Sequence, residues 1–398
     1  SNFIDENYMF ISLLINILNN HYKILTKHLK EILLMIPKKF TSINTQLRIQ
    51  TSILVSKIIK KICANSDLEV INNLSLILFE TLDDGSNEVI ANVIHAFRTI
   101  YDSYNIFEIS PGPKELLPKL LPLLKKNHDE LLFNTIDLVN VIATKVGTFI
   151  FPKEWMRISF DLLEIFQSTR KKVRRIATNT FGIISSMLGP QDLVNALLNN
   201  LKVQERRIRI CTTIALSIIA QSCSPYSVIP FLFKEYENPD KNIQNGILKT
   251  FSFMFELIGE ISTTYISAII PLLEIAMVHS DTIHRQISCN IIQQLSTSLI
   301  ELPNQKELLH LFNFIWPNLF ENTHQMKKSF SWMIDSCRLT LGSSLIILYV
   351  LKGLFHASKK VRDIYWFIYN IIYLGSQPCL VVSFPLLNLS STKILLYS

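Results

Sequence analysis

Apolar residues recur along most of the chain with the spacing of one face of an α-helix. Eight segments open with polar residues and then place apolar residues at i, i+3 or i+4, and i+7. They are NEVIANVI, DELLFNTI, KKVRRIAT, RRIRICTT, KNIQNGIL, DTIHRQIS, HQMKKSFS and KKVRDIYW. From Val89 in the first segment to Val361 in the last, the mean interval is about 39 residues. This regularity predicts repeats of two helices each.

A second set of apolar segments predicts the first helix of several repeats. Examples begin at Lys114, Glu154, Val228, Ile266 and Glu307. Proline bends or breaks a helix, and it occurs inside several of these segments, at Pro118, Pro122, Pro271 and Pro317. A period near 39 residues with bent first helices favours HEAT repeats over armadillo repeats.

The pattern therefore predicts an all-α protein, an α-solenoid (superhelix) of HEAT-type two-helix repeats. An isolated helix pair cannot bury its apolar face, so we expect residues 1–377 to form one continuous stack. Residues 1–85 are predicted to hold diverged repeats and residues 86–377 well-defined ones. Residues 378–398 are predicted to be an irregular C-terminal tail.

Five glycines follow an aliphatic residue where a helical pattern stops, and they predict helix ends. Glycine adopts the left-handed conformation without steric cost and is common just past a helix C-terminus. The five are Gly147, Gly189, Gly259, Gly342 and Gly375.

Composition narrows the class of protein. Apolar residues make up 48% and charged residues 18%, with only 10 Gly and 15 Pro, which argues against disorder and against an all-β protein. The best membrane candidate, residues 210–233, contains Gln221 and two prolines, so two core helices are expected there. The six cysteines form no CxxC pair, which predicts buried thiols in a reducing compartment. The start lacks an initiator Met, and we expect a fragment or a reduced homologue.

Positive charge is concentrated in one window. Between Lys153 and Arg209 lie eleven Lys and Arg and five acids, so the window carries +6 of the formal +7. The densest clusters, RKKVRR at 170–175 and ERRIR at 205–209, are about one repeat apart. We expect them to merge into one basic patch where two second helices begin. Lys249, His284 and Arg285 are predicted to continue a basic track along the concave surface.

Two interpretations of this patch remain open. HEAT second helices often begin with Val-Arg or Val-Lys, and the cation then joins a ladder of ion pairs between repeats. Arg174 and Arg209 fit such a ladder, and Val361-Arg362-Asp363 resembles it too. Five cations in six residues exceed what a ladder requires. For the whole patch we favour anion binding, with nucleic acid preferred over an acidic protein.

Catalytic motifs are absent from the sequence. It has no GxxxxGK[ST], GxGxxG, HExxH or GxSxG, and no Cys/His group with zinc-ligand spacing. The nine histidines are scattered, mostly at predicted turns such as His128, His279 and His356. Acidic pairs such as Asp83-Asp84 fit helix caps. We therefore expect no enzyme, no cofactor, no metal, no membrane contact and no small-molecule substrate.

At the basic repeats the sequence resembles a known family. Four strings carry the similarity: EWMRISFDLLEIFQSTRKKVRRIATNTFG, LLNNLKVQERRIRICTT, CSPYSVIPFLFKEYENPDKNIQNGILKTFSFMFELIGE and GLFHASKKVRDIYWFIYNIIYLGSQ. They resemble the C-terminal HEAT repeats of the large subunit of splicing factor 3b. The similarity covers roughly residues 79–377, whereas residues 1–78 match only loosely.

The resemblance implies a nuclear, non-enzymatic scaffold of the spliceosomal splicing factor 3b complex. Such a scaffold binds the branch-site RNA duplex during pre-mRNA splicing. The implied partners are the pre-mRNA branch site, the small nuclear RNA, a PHD-finger-like zinc protein and the other splicing factor 3b subunits. The implied branch-site pocket is lined by Lys171, Arg174 and Arg175, with a less polar wall of Thr178, Ile210 and Ile214. Further candidates for contact with the RNA backbone are Arg206, Arg209 and Lys249.

Two departures from the family and one alternative accompany this expectation. The family usually has valine where this chain has Thr178, which puts sensitivity to pocket-binding splicing inhibitors in doubt. The family tail is acidic and tyrosine-rich, whereas LLNLSSTKILLYS is apolar, so tail contacts to other subunits are in doubt as well. The alternative is a HEAT scaffold that binds only proteins, such as a nuclear transport receptor or a phosphatase regulatory subunit. That alternative would favour an acidic concave face.

Overall fold

A computed structural model describes residues 9–17, 29–62, 68–300 and 305–380. Within these ranges every regular element is helical, and no β-strand occurs among them. The chain divides into two compact units, Ser1–Ala196 and Leu197–Ser398. No helix in the described ranges combines the length and the apolar character needed to span a membrane.

The first unit begins with a helical stretch at residues 9–17 and continues as antiparallel helix pairs. Its helices are α1 (Leu29–Phe40), α2 (Thr45–Ile62), α3 (Leu68–Thr81), α4 (Asn87–Ser103), α5 (Pro113–Leu120), α6 (Asp129–Val146), α7 (Pro152–Ile165) and α8 (Lys171–Leu188). The boundary between the units falls inside the next helix, α9 (Pro190–Leu201). The second helices α2, α4, α6 and α8 pack side by side in this order.

The second unit repeats the same arrangement. Its helices are α10 (Arg206–Cys223), α11 (Ile229–Tyr236), α12 (Lys241–Ile258), α13 (Ile266–Val278), α14 (Thr282–Ser298), α15 (Gln305–Ile315), α16 (His324–Leu341), α17 (Ser343–Leu354) and α18 (Lys359–Leu380). Here α10, α12, α14, α16 and α18 each contact the next. All eight second helices predicted from the sequence are present, each beginning within a residue of its predicted segment. The predicted all-α fold of HEAT-type repeats is confirmed.

Helix α8 shows how the apolar spacing produces this packing. Val173, Ala177, Phe181 and Ile184 are four, four and three residues apart and are all buried. Because 3.6 residues make one turn, these side chains form one stripe that faces the neighbouring helices α6 and α7. Burial of a side chain as large as Phe181 stabilises the fold by about 1.5–3 kcal/mol.

The predicted prolines lie inside the first helices or in the 3-10 turns that follow them. Pro118 lies inside α5, which gives way to a 3-10 turn at Leu121–Lys125. Helix α15 likewise gives way to a 3-10 turn, Trp316–Phe320, which has Pro317 as its second residue. Pro271 lies inside α13. A proline cannot donate the backbone hydrogen bond that would continue the α-helix.

Three of the five predicted glycine caps have the positive φ that favours glycine. Gly189, Gly259 and Gly342 have φ of +84°, +56° and +86° and follow α8, α12 and α16. After α10 the same place is taken by Ser224, with φ +138°, which no pattern in the sequence predicts.

The prediction of a left-handed cap is wrong for Gly147 and Gly375. Gly147 follows α6 but has φ −54°, and the thioether of Met187 fills the space that a side chain would need. Gly375 lies inside α18, where its carbonyl accepts a hydrogen bond from Arg338 Nη1 at 2.7 Å. Close packing is the reason for glycine at both positions.

Helix α18 ends at Leu380, three residues into the predicted tail, and residues 381–398 lie outside the described ranges. Of the cysteines, Cys211, Cys289 and Cys337 are buried. Burial raises the pKa of the Cys337 thiol to about 12, so this thiol stays protonated at neutral pH. Cys63 lies outside the described residues.

Candidate nucleic-acid interface

A repeated arginine holds the turn that precedes five of the second helices. It is the fourth residue of α2, α8, α10, α14 and α18 and comprises Arg48, Arg174, Arg209, Arg285 and Arg362. In each case Nη1 donates a hydrogen bond to the carbonyl oxygen six residues earlier. The distance is 2.6 Å from Arg174 to Ser168 and 2.9 Å from Arg209 to Val203.

Only some of these arginines also belong to a ladder between repeats. Arg48 pairs with Asp84 at 2.7 Å, and Arg285 pairs with Glu321. Arg174 and Arg209 form no ion pair with a described carboxylate of their own unit. For Arg209 the sequence explains this, because Asn238 stands in the next turn where Asp84 and Glu321 stand in theirs. Arg362 likewise binds the carbonyls of its own turn. The guanidinium groups of Arg174 and Arg209 therefore fix their own turns.

Replacing Arg174 by alanine should loosen the turn before α8. The change removes two hydrogen bonds from a charged donor, to Ser168 O and Thr169 O, which together contribute about 1–2 kcal/mol. Amide hydrogen exchange at residues 168–178 should become about 5- to 30-fold faster. Arg175→Ala is the matched control, because the exposed Arg175 is the next residue in the same helix. Equal exchange in the two variants would contradict the role assigned to Arg174.

Five cations beside these arginines are exposed, and none has an acidic partner among the described residues of its own unit. Within their own units, no described carboxylate lies within 4.0 Å of their charged atoms. By contrast, Arg170 pairs with Asp129 at 2.8 Å and Lys202 pairs with Glu235 at 3.0 Å. The five are Lys171, Lys172 and Arg175 on α8, and Arg206 and Arg207 on α10.

The helix ends that carry these cations are themselves positively polarised. The N-cap residues of α8 and α10 are Arg170 and Glu205, and neither side chain accepts a bond from the first turn. In α12 and α14 the N-cap aspartates accept such bonds at 2.8 and 3.0 Å. A cation at a helix N-terminus opposes the helix dipole by ~0.3–1 kcal/mol. An anion bound there would meet both the cations and unpaired backbone N–H groups.

The residues predicted to form a less polar wall are only partly exposed. Thr178 on α8 is half-buried, and its hydroxyl donates to the carbonyl oxygen of Arg175 at 2.9 Å. On α10, Ile210 is 37% exposed and Ile214 is half-buried. Thr178 belongs to the first unit and the two isoleucines to the second.

In the second unit, the second helices α10, α12, α14 and α16 line a groove of about 820 Å³, here called the amide groove. Of the predicted residues it contains Arg206, Arg209, Ile210 and Lys249. Burial, followed by the charges of Arg206 and Arg209, lowers the pKa of the Lys249 ammonium. The groove is also lined by amide side chains, namely Asn242, Asn245, Gln286, Asn290, Gln293, Gln294 and Gln325.

The chemistry of the amide groove suits a polyanion with polar groups to read. Its lining includes four Lys or Arg residues, and Glu256 is the single acid among the described lining residues. The cations can contact phosphates, and the amides can donate to and accept from base edges. Lys171, Arg174, Arg175 and Thr178 lie in the first unit, so the merging of the two basic clusters stays a prediction.

The predicted basic track is wrong at α14. His284 is fully buried, with Nδ1 3.4 Å from Asp281 and Nε2 3.2 Å from Gln244. Arg285 is engaged by Glu321 and by the carbonyl of His279. Their places in the groove are taken by Gln286 and Asn290 on the other face of α14.

Helix α16 contributes three residues to the groove that the charge clusters did not indicate. Gln325, Lys328 and Trp332 line it at spacings of three and four residues, the period of one helix face. That spacing in HQMKKSFSW is the signal that would have found them. The three turn histidines behave as predicted, because His128, His279 and His356 each accept a backbone hydrogen bond near a helix start.

Comparisons with known proteins support the HEAT-repeat fold and also identify homologous proteins. A PPP2R1A-like HEAT repeat family matches residues 186–265. The U2 snRNP component prp10 of Schizosaccharomyces pombe is 38% identical over 358 residues, which are 90% of this chain and 30% of prp10. The U2 snRNP component HSH155 of Saccharomyces cerevisiae is 40% identical over 319 residues, 80% of this chain and 33% of HSH155. The chain thus spans about a third of the length of these relatives.

Solved structures resemble the chain in fold alone. The karyopherin Kap121p bound to the SUMO protease Ulp1p has a TM-score of 0.59 at 14% identity, covering 92% of this chain and 39% of Kap121p. Yeast importin-beta (Kap95p) has a TM-score of 0.52 at 12% identity, covering 89% of this chain and 47% of Kap95p. At such low identity a shared fold says nothing of a shared function.

The helix pairs and the matched repeats define this chain as a HEAT-repeat protein. Over most of its length it is homologous to the U2 snRNP components prp10 and HSH155. The predicted resemblance to the large subunit of splicing factor 3b is confirmed by these homologues.

Proposed function

We propose that the chain is a nuclear, non-enzymatic scaffold of the splicing factor 3b complex that binds branch-site RNA during pre-mRNA splicing. The observation that carries this proposal is the set of exposed cations at the uncapped starts of α8 and α10, which no described carboxylate of their own units neutralises. Such charges attract a phosphate group, whereas in the free protein they are repelled by the positive end of the helix dipole. Homology to U2 snRNP components supports RNA as the phosphate source.

The predicted residues take different parts in this proposal. Lys171, Arg175 and Arg206 are exposed and contact phosphates directly. Arg174 and Arg209 hold the turns that present them and add to the local positive charge. Lys249 contributes charge inside the amide groove, while Thr178, Ile210 and Ile214 give apolar contact with sugar or base.

The proposed protein partners are those of the splicing complex. We infer that a PHD-finger-like zinc protein and the other splicing factor 3b subunits bind this chain together with the small nuclear RNA. The support for these partners is the homology alone. The competing function, a scaffold that binds only proteins, is supported by the PPP2R1A-like match at residues 186–265. The cation-rich groove of the second unit disfavours it.

Purification of the tagged full chain from its own cells, followed by mass spectrometry and RNA sequencing, tests the proposal. We expect the other splicing factor 3b subunits and the branch-site small nuclear RNA. A variant with Arg175→Glu and Arg206→Glu should keep the protein partners and lose most of the RNA. Recovery of transport cargo or a phosphatase catalytic subunit without that RNA would establish the competing function.

A further inference from the structure

Trp332 is an exposed aromatic side chain on a polar surface. It is 52% exposed and lies on α16, where it lines the amide groove together with Gln325 and Lys328. The chain has four tryptophans, and Trp155, Trp316 and Trp366 are all less exposed. Core packing therefore does not account for an indole at this position.

The surroundings of Trp332 match the needs of an unpaired nucleotide. Lys328 Nζ lies 4.7 Å from the ring centroid, where it makes a cation–π contact and sets a positive charge beside the indole. Gln294 and Gln325 line the same groove and carry both donors and acceptors. Proteins that bind single-stranded RNA combine these three components: cations for phosphates, amides for base edges and an aromatic face for stacking.

A second groove also touches Trp332 and offers a competing occupant. It has a volume of about 770 Å³ and lies along α16 and α18, with Phe330, Ile364 and Phe367 in its lining. This apolar groove would suit the apolar face of a protein segment. The cation over the indole and the adjoining amides favour a nucleobase at Trp332 itself.

We propose that Trp332 is a stacking platform for an unpaired base of the RNA held in the amide groove. This inference rests on the proposed function, because it requires RNA in that groove. It adds a binding residue that neither the charge pattern nor the predicted branch-site residues include. The phosphate that follows the stacked base would then lie in the amide groove, which Lys328 also lines.

Titration of the full chain with a short oligouridylate tests the proposal, because uridine cannot form a stable self-duplex. Stacking should quench tryptophan fluorescence, and Trp332→Ala should abolish most of the quenching. The same change should weaken binding ~5- to 150-fold, the range for loss of one base–aromatic stack. Trp332→Phe should restore most of the affinity, since a ring remains. The salt dependence of affinity should be unchanged in both variants, because no cation is removed.

Two controls isolate the base from the backbone. Leu339→Ala removes an apolar side chain of the same 52% exposure from the same helix outside both grooves, and should leave binding unchanged. An abasic strand of equal length keeps the phosphates, so wild-type protein and Trp332→Ala should bind it equally. A discrimination between uridine and abasic strands that disappears in Trp332→Ala establishes the stack.

The possible failures are distinguishable. Salt-dependent RNA binding that is the same in wild type and Trp332→Ala overturns the stacking platform and leaves the proposed function intact. Absence of salt-dependent RNA binding by the wild-type chain overturns both. Loss of a splicing-complex protein from purified Trp332→Ala, with RNA affinity unchanged, would assign the indole to the apolar groove and a protein partner.

Discussion

Neutralising the exposed cations of α8 or of α10 should weaken RNA binding on the order of a hundredfold, with about tenfold for each phosphate that the protein no longer neutralises at 0.1 M salt. One variant carries Lys171→Gln and Arg175→Gln, and the other carries Arg206→Gln and Arg207→Gln. Each should also reduce the slope of log affinity against log salt by about 1.4–1.8, because each of the two phosphates adds about 0.7–0.9 to that slope. Fluorescence anisotropy of labelled RNA over a range of salt concentrations measures both quantities.

A third variant controls for total charge. Lys359→Gln with Lys360→Gln removes two exposed cations from the start of α18, so its net charge equals that of the other two variants. Its salt slope should stay at the wild-type value. Equal reductions in all three variants would mean that RNA responds only to the overall charge of +7 and that α8 and α10 hold no site.

The same substitutions should have the opposite effect on folding. The cations of α8 and α10 lie at uncapped N-termini, where they oppose the helix dipole, so their removal should stabilise the free protein slightly. A variant that folds at least as well and binds RNA less cannot have lost affinity through unfolding. This combination of weaker binding and unchanged or higher stability is the signature of residues retained for function.

The parts of the fold that depend on local periodicity were predictable from sequence. The eight predicted second helices, α4 to α18, each begin within a residue of their predicted segment, since a stripe such as Val173, Ala177 and Phe181 has one helical solution. The effect of the prolines at the second position of a 3-10 turn could also be predicted, because the missing N–H disturbs only the local helix. These features need no knowledge of distant residues.

Features set by neighbouring repeats could not be derived in this way. Gly147 packs against Met187, forty residues further along the chain, and nothing near Gly147 indicates that contact. The burial of His284 depends likewise on Gln244 in the preceding repeat. Arg285 carries the same local signature as Arg209, yet only Arg285 meets an acid, Glu321, in the following turn.

One part of the candidate site could likewise be predicted from the sequence, and another part could not. The charge clusters at residues 170–175 and 205–209 were evident from composition, because exposed cations need no partner to be recognised. The amide groove was not evident, since its Asn and Gln residues come from three separate helices, α12, α14 and α16. Asn and Gln side chains are neutral, so the distribution of charge along the sequence does not reveal them. Only the stacking of repeats brings them onto one surface.

Replacing Trp155 by alanine should produce the largest loss of stability in the first unit. Trp155 on α7 is buried, and its Nε1 donates a hydrogen bond to the carbonyl oxygen of Gly147 at 2.9 Å. The substitution leaves a cavity worth about 3–5 kcal/mol and removes the shorter of two hydrogen bonds to Gly147 O, which keeps only the bond from the Ile150 N–H at 3.4 Å. Domains are stable by only about 5–15 kcal/mol, so much of that margin is lost. Amide exchange in α6, α7 and α8 should accelerate on the order of a hundredfold or more.

The pattern of that acceleration along the chain distinguishes a local from a global effect. In repeat proteins each two-helix repeat is stabilised mainly by its nearest neighbours, so amides of α12 and α14 should keep their wild-type exchange rates. Trp155→Phe separates the two causes, because phenylalanine fills most of the space but cannot donate to Gly147 O. We expect its acceleration to be about a tenth or less of the alanine effect, since the cavity term dominates. Equal acceleration in both variants would show instead that the buried hydrogen bond to Gly147 holds α6 and α7 together. Unchanged exchange in α6–α8 would contradict the structural role of Trp155.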